Sequence, residues 1–486
     1  MNSIIDSIHL LHTLKTGYIW ASLEGTALTQ EQLPFSKYIA IGIMLFALFF
    51  GAGNLIFPAE LGQNAGSHLW PAALGFLITG VGLPLMGVLA IGFAGSRNLQ
   101  ELASRVNPTY GILFTCLLYL TIGPFFASPR TGTVAYEVGI APFVSDGFQQ
   151  GGLLIFSFLF FSATLWFSLN PAKLIDNVGK ILAPGIVILL TILLLFVIIK
   201  PMGAVQVPVG EYANNAFLTG FLDGYNTMDA LASLVFGIIV INSVRSLGIT
   251  SKSGILNATV KSGLIAVTLL GAIYIGIAFM GATGTEAFGF FENGGPVLSN
   301  ATSYYFGAFG MIMLAVLITL ACLTTAIGLT TACAEYFQTL FPRFSYKSLV
   351  VFFAAITFVF ANFGLTNIIT FSVPVLMFLY PLAIVLMILA FLSPLFHHKR
   401  VVYVLTTVFT FLISIFDGLK ALCKSLEIDH FAWMTPFTTF YQKTLPMYDE
   451  GLGWLLPALI IIIIATIGVR LRAERQSKIE DGVNHY

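Results

Sequence analysis

The stretch FFGAGNLIFPAE, residues 49–60, decides how the rest of the chain reads. It interrupts a run that otherwise has the composition of a membrane-spanning helix. Gly51, Gly53 and the amide of Asn54 stand where the bilayer centre would fall. In hydrocarbon an unpaired backbone group is costly, so irregular backbone survives only when buried in protein or lining a cavity. The pieces on either side are each about a dozen residues, too short to span alone but long enough together. Taken alone, the segment is also accounted for by a glycine kink or a small-residue packing face.

The composition around it leaves little doubt about the solvent. Of 486 residues, 57% are hydrophobic and only 9% charged, and the mean hydropathy is +0.91. Acidic and basic residues balance at 22 each, which gives no basic surface for a nucleic-acid partner. The four cysteines form no CxxC pair. Cys116, Cys322 and Cys333 sit in apolar segments and Cys423 in what reads as a polar loop, so neither a disulfide framework nor a zinc site is expected. Asp6, His9, His12 and Lys15 break up the first apolar stretch, so no cleavable signal peptide is expected, and residues 1–36 read as a polar or interfacial leader.

A spanning helix needs ~20 mostly apolar residues. Twelve stretches qualify: 38–66, 70–94, 110–139, 151–170, 177–200, 219–244, 262–284, 303–338, 348–365, 367–395, 401–417 and 453–469. The third and eighth are long, so tilt or breaks are expected there. Arg97 and Arg105 follow span 2, and Lys173 and Lys180 follow span 4. Arg245, Lys252 and Lys261 follow span 6, Arg343 and Lys347 span 8, and Lys399 and Arg400 span 10. Arg470, Arg472, Arg475 and Lys478 lie in the tail, whereas the loops after spans 1, 7 and 9 contain no Lys or Arg. Both termini are therefore predicted on the cytoplasmic side. Only the loop after span 11 departs, with Lys420, Lys424 and Lys443 beside acidic residues.

Span 6, GYNTMDALASLVFGIIVINS, carries Asp229, then Ser233 and Gly237. Spans 1 and 6 are five apart, and an odd set of five makes the second set enter the membrane from the opposite face. Interrupted helices at matching places in such inverted halves point to a transporter's midplane site. Span 8, LACLTTAIGLTTACAE, places Thr324 and Thr325 one turn after Ala321. Threonines in membrane helices commonly bond back to their own i−4 carbonyl. A carbonyl and two hydroxyls within one turn equally offer hard oxygen ligands to an alkali cation. Arg130 and Glu137, seven apart in span 3, would share one helical face and are read as pairing with each other or as gating. An unpaired charge there would cost at least ~2.5–3.5 kcal/mol. Asp229 is read as bonding the break, holding an ammonium group or carrying a proton.

Four motifs together, FALFFGAGNLIFP, GPFFASPRTGTVAYE, GYNTMDALASLVFGIIVINSVRSLG and LACLTTAIGLTTACAEYF, resemble the bacterial branched-chain amino acid:cation symporters over about residues 37–470. That family is similar, more distantly, to sodium-coupled transporters of the leucine-transporter fold. The resemblance implies an all-α polytopic protein of about twelve transmembrane helices, with a 5+5 inverted repeat and discontinuous helices 1 and 6. It divides the chain into the leader (1–36), two five-helix repeats (37–200 and 201–400), two extra C-terminal helices (401–470) and a cytoplasmic tail (471–486). Carried over by position, the carbonyls of Ala47, Phe50 and Ala321 and the hydroxyls of Thr324 and Thr325 would hold sodium. The amides of Ala52, Gly53 and Asn54 would meet the substrate carboxylate. Carbonyls at the two breaks, around Phe49 and Ala232, would meet the ammonium, and Ser233 and Phe236 would line the pocket. The second sodium site of some relatives does not carry over. Leu231 stands at its sixth-helix position and span 7 has no Asn, so one coupling cation is expected.

The implied activity is sodium-coupled import of leucine, isoleucine and valine across a bacterial inner membrane, with no cofactor and no chemical step. The same transporter driven by protons is the alternative. A channel would want a continuous polar pore. An embedded enzyme would want a nucleophile–base pair or a metal motif, and the spans contain no HExxH or GxSxG.

Overall fold

The computed structural model describes residues 33–169, 174–429 and 431–483, with residues 174–183, 432 and 473–483 described by backbone alone. The expected leader therefore lies almost entirely outside the described residues. Every described element is helical: α1 (Phe35–Phe49), α2 (Gly53–Ala65), α3 (Leu69–Leu77), α4 (Leu83–Ala94), α5 (Pro108–Leu120), α6 (Ala127–Gly139), α7 (Gln149–Ser168) and α8 (Leu174–Ile199) make up the first half. The second contains α9 (Tyr212–Asp223), α10 (Asp229–Ser246), α11 (Lys252–Phe288), α12 (Gly295–Leu340), α13 (Tyr346–Ala361), α14 (Leu365–Leu392), α15 (Arg400–Ser425) and α16 (Leu455–Val483), and the short helices Leu99–Ala103 and Thr435–Thr444 lie in connections. Among the described residues, nine helical segments are long and apolar enough to cross a membrane. Three shorter apolar helices, Phe35–Phe49, Pro184–Ile199 and Tyr346–Ala361, accompany them. Each of the twelve apolar stretches of the sequence falls in one of these helices or in a broken pair.

The breaks have local causes. Helix α1 ends at Phe49, Phe50 turns to extended backbone (ψ 95°), and α2 begins again at Gly53. The non-helical segment is thus Phe50 to Ala52, narrower than the expected Gly51 to Asn54, and Asn54 lies in the first turn of α2. Span 3 is also interrupted, as its length suggests: a wide π turn covers Thr121–Phe125, with Gly123 outside helical geometry (ψ −117°). In span 8, Gly307 leaves the helix at φ +58°, a conformation that suits glycine.

Span 6 differs from expectation. Helix α10 runs unbroken through Ala232, Ser233 and Gly237, so no unwinding occurs there. The discontinuity lies earlier, where a 3-10 turn over Gly224–Thr227 and a left-handed Met228 (φ +61°) separate α9 from α10. Span 6 is therefore the pair α9 and α10, starting at Tyr212 and not at 219. Span 11 is longer than expected, running from Arg400 to Ser425 as α15. Cys423 lies buried in its last turn and not in a polar loop.

Backbone approaches backbone where the broken helices are held. A β-carbon on Gly62 of α2 would stand 1.9 Å from the Ala278 carbonyl oxygen of α11. One on Gly281 of α11 would stand 2.1 Å from the Ala59 oxygen of α2. Two reciprocal glycines let these helices meet without side chains between them, the small-residue packing that replaces hydrophobic drive in lipid.

At one end of the bundle, arginines bind helix-end carbonyls, where the helix dipole is negative. Arg105 donates to the Ala94 carbonyl (2.6 Å) and to the Tyr403 hydroxyl (3.2 Å). Arg400 donates to Val106 (2.8 Å) and Arg470 to Leu395 (2.8 Å). The basic loops after spans 2 and 10 and the start of the tail thus share one end of the molecule.

Candidate substrate and cation site

The two breaks line one small cavity. Its lining includes Gly51 to Asn54 from span 1, Thr227 to Asp229 and Ala232 from span 6, Arg130 from span 3 and Thr325 from span 8. Leu48, Phe49, Ile122, Phe236 and Leu329 give it apolar wall.

Breaking span 1 leaves donors and acceptors behind. The amide N–H groups of Gly51, Ala52, Gly53 and Asn54 have no hydrogen-bond acceptor among the described residues. Ala52 and Asn54 are 4% and 1% exposed, so water outside the protein does not satisfy them. Such a row of N–H groups at a helix N-terminus carries about half a positive elementary charge and suits an anion. On the other side of the break, the carbonyls of Ala47 and Phe50 lack the backbone donors that a continuous helix would bring.

Asn54 ties the two breaks together. Its side-chain N–H donates to the Phe49 carbonyl (3.0 Å), at the end of α1, and to a carboxylate oxygen of Asp229 (2.6 Å), at the start of α10. It also meets the hydroxyl of Tyr274 on span 7, which itself donates to Asp229 (3.1 Å). The Asp229 amide donates to the Thr227 hydroxyl at 3.3 Å. Asp229 therefore stands at the restart of the helix and not deep within it. Of the roles read for it in sequence, bonding the break is the one its contacts display. Tyr274 was missed in the sequence, where its only signal was one hydroxyl in an apolar span.

Of the residues expected to hold sodium, Thr325 is the one that lines the cavity. Thr325 faces the first break, with its methyl group 3.5 Å from the position of a β-carbon on Gly51. Thr324 and Thr325 both donate to the Ala321 carbonyl, at 2.8 and 3.2 Å. This is local back-bonding, and it leaves each hydroxyl its acceptor lone pairs. The Ala321 carbonyl is already engaged by both. Among the described residues no group of three His, Cys, Asp or Glu side chains is placed to hold a metal. Any cation here would rest on neutral oxygens.

The remaining expectations divide. Ala232 and Phe236 line the cavity, but as side chains of an intact helix, and the Ala232 amide donates to Met228 at 3.0 Å. Ser233 does not line it. Its hydroxyl bonds the Ala230 carbonyl (2.7 Å) and packs where a β-carbon on Gly87 would clash. Arg130 and Glu137 are not paired. The break at Gly123 to Phe126 sets the start of α6, and Arg130 turns inward to the Asn226 carbonyl (2.5 Å) and the Ser372 hydroxyl (3.1 Å). Glu137 instead accepts from Asn293 (3.0 Å), whose carbonyl oxygen receives the first amide of α12. It anchors the start of span 8, outside the cavity. Glu137→Gln keeps an acceptor for Asn293, so leucine uptake in this variant is expected to stay within about threefold of the parent, a neutral hydrogen bond being worth about 0.5–1.5 kcal/mol.

This broken-helix bundle with its cavity has the leucine-transporter-like fold. The solved structure of Mhp1, a nucleobase-cation-symport-1 family transporter in a closed conformation with bromovinylhydantoin bound, superposes with a TM-score of 0.55. That match covers 86% of this chain and 96% of Mhp1 at 15% identity. A mutant of the Eremococcus coleocola manganese transporter gives 0.53 over 90% of this chain and 97% of that one, at 14% identity. Sequence narrows the class. Residues 35–472 match the branched-chain amino acid transport protein family, and the chain belongs to it. The branched-chain amino acid permease BrnQ of Bacillus subtilis is 47% identical over 429 residues, covering 88% of this chain and 96% of the permease. The branched-chain amino acid transport system 2 carrier protein of Pseudomonas aeruginosa is 42% identical over 433 residues, covering 89% and 96%. This is a family of multi-pass membrane transporters, not of enzymes.

Proposed function

We propose that the protein imports leucine, isoleucine and valine across a bacterial cytoplasmic membrane, coupled to one sodium ion. One observation carries this reading: both helix breaks open on a single cavity that offers unpaired amides at one place and apolar wall at another. An α-amino acid with a branched aliphatic side chain matches that division, and the family's description points to the same substrates. Sodium would bind between the carbonyls of Ala47 and Phe50 and the hydroxyls of Thr324 and Thr325. It would hold span 1 against span 8 and so preorganise the amides of Ala52, Gly53 and Asn54. Phe49 and Asp229 would face the ammonium group. Spans 1–5 and 6–10 would form an inverted repeat, with bound substrate passed between faces by rocking of one helix bundle against the other. The arginines gathered at one end support a cytoplasmic position for that end and for both termini.

The test is the sodium activation of leucine binding. Losing an oxygen ligand to a charge costs about 1.5–3 kcal/mol. Thr325→Ala is therefore expected to raise the half-activating sodium concentration about tenfold or more, with the preference among leucine, isoleucine and valine unchanged. Superimposable activation curves for variant and parent would remove Thr325 from the site. A proton-coupled transporter is the second reading, favoured by one observation: the buried Asp229 carboxylate lines the same cavity. In that case Asp229→Asn abolishes concentrative uptake, and sodium does not activate binding in the parent.

A further inference from the structure

Arg130 carries a guanidinium into the middle of the protein with no carboxylate at ion-pair distance among the described residues. The residue is 2% exposed. Its contacts are the Asn226 carbonyl, the Ser372 hydroxyl and the ring of Phe57, whose centre lies 4.9 Å from the guanidinium carbon. All three are neutral. Its Nε is buried without an acceptor. Among the described residues the one ion pair within 4.0 Å is Lys420 with Asp449, at 3.4 Å and partly exposed; Glu60 and Asp229 act on Arg130 only from beyond that distance.

A buried charge held only by neutral groups is costly unless a counter-charge arrives. A lysine could shed its proton, but a guanidinium stays charged at any accessible pH. Arg130 lines the same cavity as the unpaired amides of span 1 and as Asp229, which lies beyond ion-pair distance from it. The cavity thus carries a guanidinium, a carboxyl group and apolar surface. That is the complement of a zwitterion with an aliphatic side chain.

We propose that Arg130 binds the carboxylate of the transported amino acid, sharing it with the amides of Ala52 and Gly53, while the ammonium turns toward Asp229. This assignment rests on the amino acid reading above. It gives Arg130 a second consequence, because the same guanidinium holds the Asn226 carbonyl inside the break of span 6. Substrate bound to Arg130 is linked through one side chain to the turn that separates α9 from α10. Substrate without a carboxylate forms no such link.

The experiment compares leucine with leucinamide, which keeps the ammonium and side chain but has no carboxylate, in sodium-containing buffer with purified protein. In the parent, leucine is expected to bind at least a hundredfold more tightly. In Arg130→Gln, leucine affinity falls at least thirtyfold while leucinamide affinity holds or improves, so the preference shrinks by at least tenfold. In Arg130→Lys, which keeps the charge but not the fork geometry, leucine affinity falls about three- to tenfold and leucinamide is unaffected. Equal losses for both ligands, or an unchanged preference, overturn the assignment. If Arg130→Gln does not yield folded protein, the lysine variant decides by the same comparison. A parent with no saturable leucine binding overturns the substrate reading and the assignment together. A parent that binds leucine, with the preference unchanged in the variants, overturns the assignment alone.

Discussion

Asn54→Leu is expected to lower leucine uptake at least a hundredfold while leaving the protein in the membrane. The replacement keeps the number and branching of side-chain heavy atoms and removes the N–H donors that hold the Phe49 carbonyl, Asp229 and Tyr274. Each buried polar group stranded in this way costs about 1–3 kcal/mol, more for a charged one. Three such losses, one of them at a carboxylate, amount to at least about 3 kcal/mol, which in a rate or an affinity is roughly a hundredfold. The damage is concentrated because Asn54 is the side chain that joins the first break to the second. Asn54→Asp should be worse still. It sets a second carboxylate against Asp229 inside the bundle, where like charges are poorly screened. Uptake of labelled leucine into cells or vesicles, normalised to protein in the membrane, measures both. Uptake by Asn54→Leu within threefold of the parent would mean that the bridge between the breaks is dispensable.

The second large effect concerns packing. Gly281→Val is expected to abolish the monodisperse species in detergent. Even a single β-carbon at this position would lie 2.1 Å from the Ala59 carbonyl oxygen, so α11 and α2 would have to separate. Overpacking of this kind costs typically 1–3 kcal/mol and more where backbone is the obstacle. Helix α2 supplies the unpaired amides, so whatever moves it also moves the site. Gly281→Ala should fold but melt several degrees lower and bind leucine more weakly. Gly328 is the control: a β-carbon there meets nothing within 4 Å, and Gly328→Ala is expected to match the parent. Size-exclusion profiles and melting curves of the three variants check the ordering. A Gly281→Val protein as stable as the parent would contradict the close packing of these helices.

Much of this was legible in the chain, for identifiable reasons. Twelve apolar stretches and the positions of Lys and Arg follow from the cost of polar groups in hydrocarbon, which leaves sequences little freedom. The first break was legible because Gly-Ala-Gly and a polar amide at mid-span are poor helix and poor lipid-facing chain alike. The second was misplaced by about one and a half turns. Ser233 and Gly237 looked like its residues, but Gly237 serves close packing against Ile91 and Ser233 against Gly87. The break itself uses Met228 in a left-handed conformation, a place where glycine is the usual signal and here is absent. The cue was Thr227 and Asp229 immediately before an apolar run, a helix-start signature that was read as mid-helix. Arg130 and Glu137 could not be separated by helical spacing. Their spacing predicts a shared face, while acceptors on spans 6 and 10 take Arg130 and the donor Asn293 takes Glu137. The approach of Thr325 to Gly51 is a tertiary fact that no local pattern encodes.

The most direct test of the account is uptake by purified protein in liposomes under controlled gradients. With an inward sodium gradient, equal pH on both sides and no membrane potential, labelled leucine should accumulate inside above its external concentration. Isoleucine and valine should compete for it. With an inward proton gradient and no sodium, accumulation should not occur. Leucine accumulation driven by protons alone and indifferent to sodium would contradict the account, and so would flux that never saturates.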